Sequence, residues 1–180
     1  ASEEDLAAAL RFCAAQRLKF TILGRGSNLV VRDGGFRGLV ICLAHKGFSR
    51  VEVVNERIYC GAGASLKQVA MAAREHRLGG LEFLDGIPGS LGGALRMNAG
   101  AMGNWIFEMV ETVRFMDHTG RILERRASEL LVEYRGCPWL KTHIALGAVI
   151  KCEHDVLEAI EQRLQAGRHQ RRTTQPRQPS

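Results

Sequence analysis

Two glycine-dense stretches constrain this chain more than any other feature. The first is Leu23-Gly24-Arg25-Gly26-Ser27-Asn28-Leu29. The second is Asp85-Gly86-Ile87-Pro88-Gly89-Ser90-Leu91-Gly92-Gly93, which continues into Met97-Asn98-Ala99-Gly100-Ala101-Met102-Gly103. Glycine loses more conformational freedom on folding than other residues and brings no side chain to a core. Such density points to main chain that must approach a ligand closely. Exposed N–H groups bind anions and bare backbone admits planar rings, so a phosphate-bearing, flat-ringed compound is the natural candidate.

Neither stretch is a familiar phosphate loop. A dinucleotide fingerprint of the parallel-sheet kind needs a third glycine where Leu29 stands. A Walker loop needs Gly-Lys-Ser/Thr, which occurs nowhere. Leu29-Val30-Val31-Arg32 reads as extended, so the first loop joins strand to strand. Gly24-x-Gly26 by itself reads as a structural turn, but Ser27 and Asn28 add groups able to bond a phosphate. The second stretch has a rigid Pro88-Gly89 corner, the Ser90 hydroxyl and the pair Gly92-Gly93, and reads as a loop. Asn98-Ala99-Gly100-Ala101 repeats its small-residue pattern. Two such segments, far apart in sequence, fit two walls of one groove.

The elements between them alternate without a repeating βαβ rhythm. Ser2 and Asp5 cap a helix with Leu6, Leu10, Cys13 and Ala14 on one face. Thr21–Leu23 is a short strand, Asp33-Gly34-Gly35 a turn, and Leu39–Leu43 a buried strand. Residues 50–54 and 57–60 form a hairpin around Asn55-Glu56. Ser65 and Gln68 form a capping box for a helix with Leu66, Val69, Ala70 and Ala73 inside, stopping at Gly79-Gly80. Residues 112–116 and 121–124 flank the turn Asp117-His118-Thr119-Gly120. A strand covers 144–152. Asp155 and Glu158 cap a last helix with Val156, Leu157, Ile160 and Leu164 on its apolar face. Prolines in the tail 173–180 exclude helix there. Short turns imply antiparallel pairing and an α+β class.

Composition excludes several classes. No apolar run approaches a membrane span. Five cysteines, at 13, 42, 60, 137 and 152, are odd in number and lack C-x-x-C spacing. Four sit in apolar patterns, which fits reduced core residues in a cytoplasmic setting. No metal is expected, and His45, His76, His118, His143, His154 and His169 show no ligand spacing. Surface or packing roles suit each. The net charge of +6 is concentrated late, at Arg163, Arg168, Arg171, Arg172 and Arg177. With few aromatics to stack bases, this reads as a basic surface or an anionic small-molecule site rather than a nucleic-acid surface. Glu82 and Asp85 read as members of a solvated loop. The start, Ala1-Ser2-Glu3-Glu4-Asp5, is acidic and is no signal peptide. It lacks methionine, so the natural start is expected to lie upstream or to have been removed.

The sequence 23–38, the run Gly80–Ala94 with 97–101, Tyr134-Arg135, and Arg171-Arg172-Thr173-Thr174-Gln175-Pro176 together resemble the UDP-N-acetylenolpyruvoylglucosamine reductases, also called UDP-N-acetylmuramate dehydrogenases. The match runs in order through nearly the whole chain. The resemblance implies a vanillyl-alcohol-oxidase-like (PCMH-type) fold, with FAD between two α+β subdomains and a third subdomain for the UDP-sugar. It divides the chain into 1–46, lacking an N-terminal strand, 47–153, and 154–180 as the start of a truncated substrate domain. It implies cofactor contacts from Gly24, Arg25, Gly26, Ser27, Asn28 and Leu29, from Ile87, Pro88, Gly89, Ser90, Gly92 and Gly93, and from Asn98, Gly100 and Ala101. It assigns Arg135 to catalysis and Tyr134, Arg135 and Gln175 to substrate. The implied reaction is NADPH-dependent reduction of UDP-N-acetylglucosamine enolpyruvate to UDP-N-acetylmuramate, for peptidoglycan synthesis. Arginine suits charge that develops toward the enolpyruvyl carboxylate. No membrane partner is implied.

Two departures stand out. Cys137 replaces a serine common after the Tyr-Arg pair. The proton donor and a catalytic glutamate of the family lie beyond the Gln-Pro tail, and Ser180 precedes the donor in register, so the chain alone is expected not to turn over. The alternatives are another FAD oxidoreductase of the same fold, or a flavin-binding module without catalysis.

Overall fold

A computed structural model describes residues 2–175. Helix α1 (Glu3–Ala15) starts at the Ser2 capping box, in which Asp5 N donates to Ser2 Oγ at 3.3 Å and Ser2 N to Asp5 Oδ2 at 2.8 Å. It buries Leu6, Ala7, Leu10 and Cys13. Ala14 was expected on that face but is exposed. Strand β1 (Phe20–Leu23) pairs in parallel with β2 (Leu39–Cys42), from Phe20↔Leu39 to Leu23↔Cys42. Parallel pairing departs from the antiparallel expectation. The long link 24–38 allows it by carrying the chain back to the strand's starting end. Residues 29–32 belong to no strand, and Val30 is 97% exposed. Strand β2 is half-buried rather than buried, with Val40 facing out.

Strands β3 (Val51–Val54) and β4 (Arg57–Gly61) form the expected hairpin, with Asn55 left-handed at φ 54° in the turn. Helix α2 (Leu66–Glu75) has the expected capping box and the expected buried residues. It ends at Glu75, short of Gly79-Gly80, because Arg77 adopts a left-handed φ of 56° and turns the chain into β5 (Leu78–Gly79). The second glycine stretch is not a loop throughout. It contains helix α3 (Leu91–Met97), which ends at left-handed Asn98 and leads into the small hairpin β6 (Gly100–Ala101) and β7 (Asn104–Trp105). Small residues there permit close helix packing: a Cβ on Gly92 would stand 3.1 Å from that of Ala62.

Strands β8 (Val110–Met116) and β9 (Ile122–Arg126) flank the expected turn, and β10 (Ile144–Lys151) follows. The main sheet has the order β3-β4-β10-β8-β9, antiparallel throughout. Helix α3 packs on β10 and β4, and α2 on β3. Between them lie Ile58, Leu66, Leu91, Leu95, Phe115 and Ile150, all fully buried.

Strand β11 (Glu153–His154) pairs with β5, and helix α4 (Leu157–Thr174) closes the described chain. Helix α4 buries Ile160, Leu164 and Gly167, whereas Val156 is an exposed cap residue. Asp155 does not cap with Glu158. Its Oδ1 accepts from Val156 N at 2.7 Å, and its carboxylate pairs with Arg163. The helix also includes Thr173 and Thr174, contrary to the expectation from the prolines. Both hydroxyls donate to Gln170 O, at 2.9 and 2.8 Å. A proline restricts the residue before it, and only Gln175 is extended, at φ −108° and ψ 143°. The rest of the predicted tail, 176–180, lies outside the described residues.

Candidate functional site

A cavity of about 1040 Å³ separates the β1–β2 pair from α3 and the adjoining end of β10. Gly24 and Arg25 line one side and Ser90, Gly92 and Gly93 the other, so the two glycine stretches share one crevice. They also touch directly. Ser27 Oγ donates to Pro88 O at 2.8 Å. A Cβ on Gly24 would stand 2.8 Å from Ser90 Oγ, and one on Gly89 would stand 3.4 Å from Ser27 Oγ. Gly26 sits at φ 73°, a left-handed conformation that glycine adopts without steric cost. Its carbonyl accepts from Leu29 N at 3.3 Å, which closes the turn. Asn28 and Leu29 are exposed beyond the wall.

The second stretch is anchored from behind. Ile87 packs against the core, and Gly89 O accepts from Leu66 N at the start of α2. Leu91 N and Gly92 N donate to Ala64 O and Ala62 O, both at 2.8 Å. The segment 61–64 is itself a close backbone approach: a Cβ on Gly63 would lie 1.9 Å from Leu43 O. Gly63, in the cavity wall, is a site residue that sequence reading missed. The Gly61-Ala62-Gly63-Ala64 pattern between strand and helix was the signal that could have found it.

The wall also carries Lys19, Arg96, His118, Lys141 and His143, but, among the described residues, no Asp or Glu. None of these five was predicted, because they come from separate elements and loops scattered through the sequence. His118 meets the Phe20 ring edge-on with centroids 5.1 Å apart. His143 stacks on Trp139 at 4.3 Å, and Arg125 covers the same indole at 4.8 Å. Cys42 is the exposed cysteine in the wall. Cys60 and Cys152 are buried, which pushes both thiols up to about 12.

Asn98, Gly100 and Ala101 do not line this cavity; Asn98 and Gly100 support the Tyr134-Arg135 turn, and Ala101 pairs with Asn104. Asn98 Nδ2 donates to Glu133 O at 3.1 Å, and Cys137 N donates to Arg96 O at 3.1 Å. The end of α3 therefore grips the turn on both flanks. Within it, Arg135 has a φ of 61° and its guanidinium lies 5.7 Å from the Tyr134 ring centroid. Tyr134 is 75% exposed and packs edge-to-face on Trp105 at 5.6 Å. Trp105 in turn leans on Gly100, where a Cβ would lie 2.3 Å from the indole. Gln175 stands apart at the end of α4, its N–H donating to Arg171 O at 2.9 Å.

Three of the late arginines are engaged within the fold, while Arg177 lies outside the described residues. Arg163 pairs with Glu82 and Asp155, Arg168 pairs with Asp85, and Arg171 donates to Phe83 O. Glu82 and Asp85 therefore do not belong to a solvated loop, and their side chains are 10% exposed. Carboxylates covered to that degree require such partners. Among the described residues no helix is long and apolar enough to cross a membrane.

The FAD binding domain family model matches residues 1–125. A UDP-N-acetylenolpyruvoylglucosamine reductase of Maricaulis maris is 42% identical over 179 residues, 98% of this chain and 56% of the relative. The Staphylococcus haemolyticus enzyme of that name is 36% identical over 174 residues, 96% of this chain and again 56% of the relative. The chain thus spans about half the length of these curated relatives. The crystal structure of the Thermus caldophilus UDP-N-acetylenolpyruvylglucosamine reductase superposes with a TM-score of 0.82 at 28% identity, covering 98% of this chain and 62% of that one. The 6-hydroxy-D-nicotine oxidase of Arthrobacter nicotinovorans, at 14% identity and a TM-score of 0.61 over 85% of this chain and 35% of that one, shares the fold. The fold is the α+β, PCMH-type FAD-binding fold, and the motif resemblance to the reductases is upheld.

Proposed function

The chain belongs to the FAD binding domain family, and on that premise we propose that it is the flavin-binding part of a UDP-N-acetylenolpyruvoylglucosamine reductase. One observation carries the reading: two glycine-rich stretches, 61 positions apart at the Ser27–Pro88 hydrogen bond, meet at a single cavity. For these 180 residues the proposal is FAD binding. Reduction of UDP-N-acetylglucosamine enolpyruvate with NADPH is proposed for a polypeptide of the relatives' length. The five unpaired thiols favour a cytoplasmic setting.

The wall fits a dianionic dinucleotide. Lys19, Arg25, Arg96 and Lys141 bring positive charge to it, no carboxylate among the described residues lines it, and Gly24, Gly92 and Gly93 offer bare main chain. Bound there, FAD supplies a two-electron carrier between NADPH and the enolpyruvyl double bond. The remaining chemistry falls to side chains. The Arg135 guanidinium presents a fork that matches a carboxylate. Anchored on Tyr134 and on the grip of α3, it is a fixed cation for charge developing toward the substrate carboxylate. Asn98 and Gly100 hold that turn, and the substrate role for Tyr134 and Gln175 is part of the same proposal.

The test has two stages. Purified chain titrated with FAD should acquire the flavin absorption bands and quench free-flavin fluorescence. A protein that stays colourless with added FAD defeats every flavin reading. A polypeptide of the relatives' length should then oxidise NADPH only when UDP-N-acetylglucosamine enolpyruvate is present. Oxidation driven equally by an unrelated alcohol or sugar would replace this reaction with another of the same fold.

A further inference from the structure

Helix α4 holds the root of the second glycine stretch through three arginines. The turn Glu82–Gly86 lies directly before Ile87–Gly93. Arg163 donates to Glu82 Oε1 from Nε at 2.9 Å and from Nη2 at 2.7 Å, and it also holds Asp155. Arg168 Nε donates to Asp85 Oδ2 at 2.8 Å. Arg171 meets a carbonyl instead, its Nη2 donating to Phe83 O at 2.8 Å. Its guanidinium fills the space that a side chain at position 86 would need: a Cβ on Gly86 would lie 1.2 Å from Nη1. Gly86 and Arg171 are therefore steric complements from opposite ends of the strapped region.

A helix that only had to cover apolar surface would not place a guanidinium in a part-buried position. Removing its charge from water is unfavourable, and burial holds its pKa below the usual arginine value. Charge-assisted bonds to fixed acceptors offset that cost and give a geometry that packing alone does not fix. The effect propagates along the chain. Ile87 N donates to Leu84 O at 3.0 Å, inside the strapped turn. The next carbonyls, of Pro88 and Gly89, accept from Ser27 and Leu66, and Ser90 then enters the cavity wall.

Resting on the proposal that this cavity binds FAD, we infer that Arg171, supported by Arg163 and Arg168, is a positioning residue for the dinucleotide: α4 straps the 82–86 turn and so sets where Ser90–Gly93 meet the ligand. Small displacements of ligand-positioning groups carry large losses. The experiment titrates FAD into the 180-residue chain and its variants by quenching of flavin fluorescence, well below each thermal transition. Arg171→Met should raise the FAD Kd at least about tenfold, the loss of one charge-assisted hydrogen bond, while circular dichroism stays native. Arg171→Lys, which keeps the charge but not the fork, should recover part of the affinity. Gly86→Ala, which displaces the guanidinium from the opposite side, should raise the Kd comparably and shift the visible band of bound flavin as Arg171→Met does. Folded Arg171→Met or Gly86→Ala protein with the parental Kd and band would overturn the strap, and Gly86→Ala decides if Arg171→Met does not fold. A parental chain that takes up no FAD would overturn the flavin reading, and the strap with it. Parental binding with unaltered variants would overturn the strap alone.

Discussion

Cys42 is the exposed member of five free cysteines and stands in the cavity wall, its Sγ 3.9 Å from Gly24 O. The thiolate is the reactive form, so thiols held at about 12 inside the core are inert at neutral pH. Ellman's reagent should thus titrate one thiol quickly in the native protein, and saturating FAD should slow it by about tenfold or more. An undiminished rate with bound FAD would place the ligand elsewhere. Arg135 calls for a different measurement. Arg135→Ala should leave the FAD Kd unchanged and lower kcat of the full-length reductase by about 10²- to 10³-fold, the scale for losing a fixed charge-stabilising donor. Unchanged turnover would remove it from the mechanism. At this scale the sequence was informative where backbone is the functional group: Gly24, Arg25, Ser90, Gly92 and Gly93 all reach the wall. It was silent on Lys19, Arg96 and Lys141, because a lone cation has no spacing to betray it.

Helix α2 was legible in advance because its start is written locally: Ser65 and Gln68 satisfy each other's backbone N–H groups. Ser65→Ala should therefore cost about 1 kcal/mol in urea unfolding with little change in the slope. A loss well beyond the usual capping range, above about 3 kcal/mol, would mean that Ser65 does more than cap. By contrast, Phe115→Ala should cost about 3–5 kcal/mol, since Phe115 is fully buried in β8 and meets Trp139 and His143 edge-on. Helix α3 was not legible. Its seven residues, Leu-Gly-Gly-Ala-Leu-Arg-Met, include two glycines, which are poor helix formers, and their local preference is for a loop. Tertiary contacts override it: Leu91 and Leu95 are fully buried, and the main chain is tied to Ala62 and Ala64. The parallel pairing of β1 with β2 was hidden for a related reason. No helix fills the crossover, so the usual sign of a parallel connection is missing.

Across the whole molecule, ion pairs join parts of the chain that lie far apart in sequence. Arg114 reaches Glu3 on α1, Arg57 reaches Glu111 with a bond of 2.7 Å, and Arg163 links α4 to Glu82 and Asp155. None of this was legible, because charged residues carry no periodicity that names a partner; the arginine-rich end read as a basic surface or an anionic small-molecule site. The carboxylates report the consequence. Hydrogen bonds from Arg163 hold Asp155 below its ordinary value of 3.8, and those from Arg57 hold Glu111 below 4.5. The Thr119 hydroxyl does the same for Asp117. A carboxylate with a lowered folded-state pKa binds protons more readily in the unfolded chain, so its stabilisation is complete above the ordinary value. It is lost as pH falls through the lower, folded value. The thermal transition should therefore be flat from about pH 7 to 5 and fall steeply below about pH 4. All three groups are partly exposed, so salt should shrink the drop. Asp155→Asn should remove part of the acid-induced fall while lowering stability at neutral pH. A transition temperature that rises on acidification, or an Asp155→Asn profile parallel to the parent's, would show that these pairs do not set the acid limit.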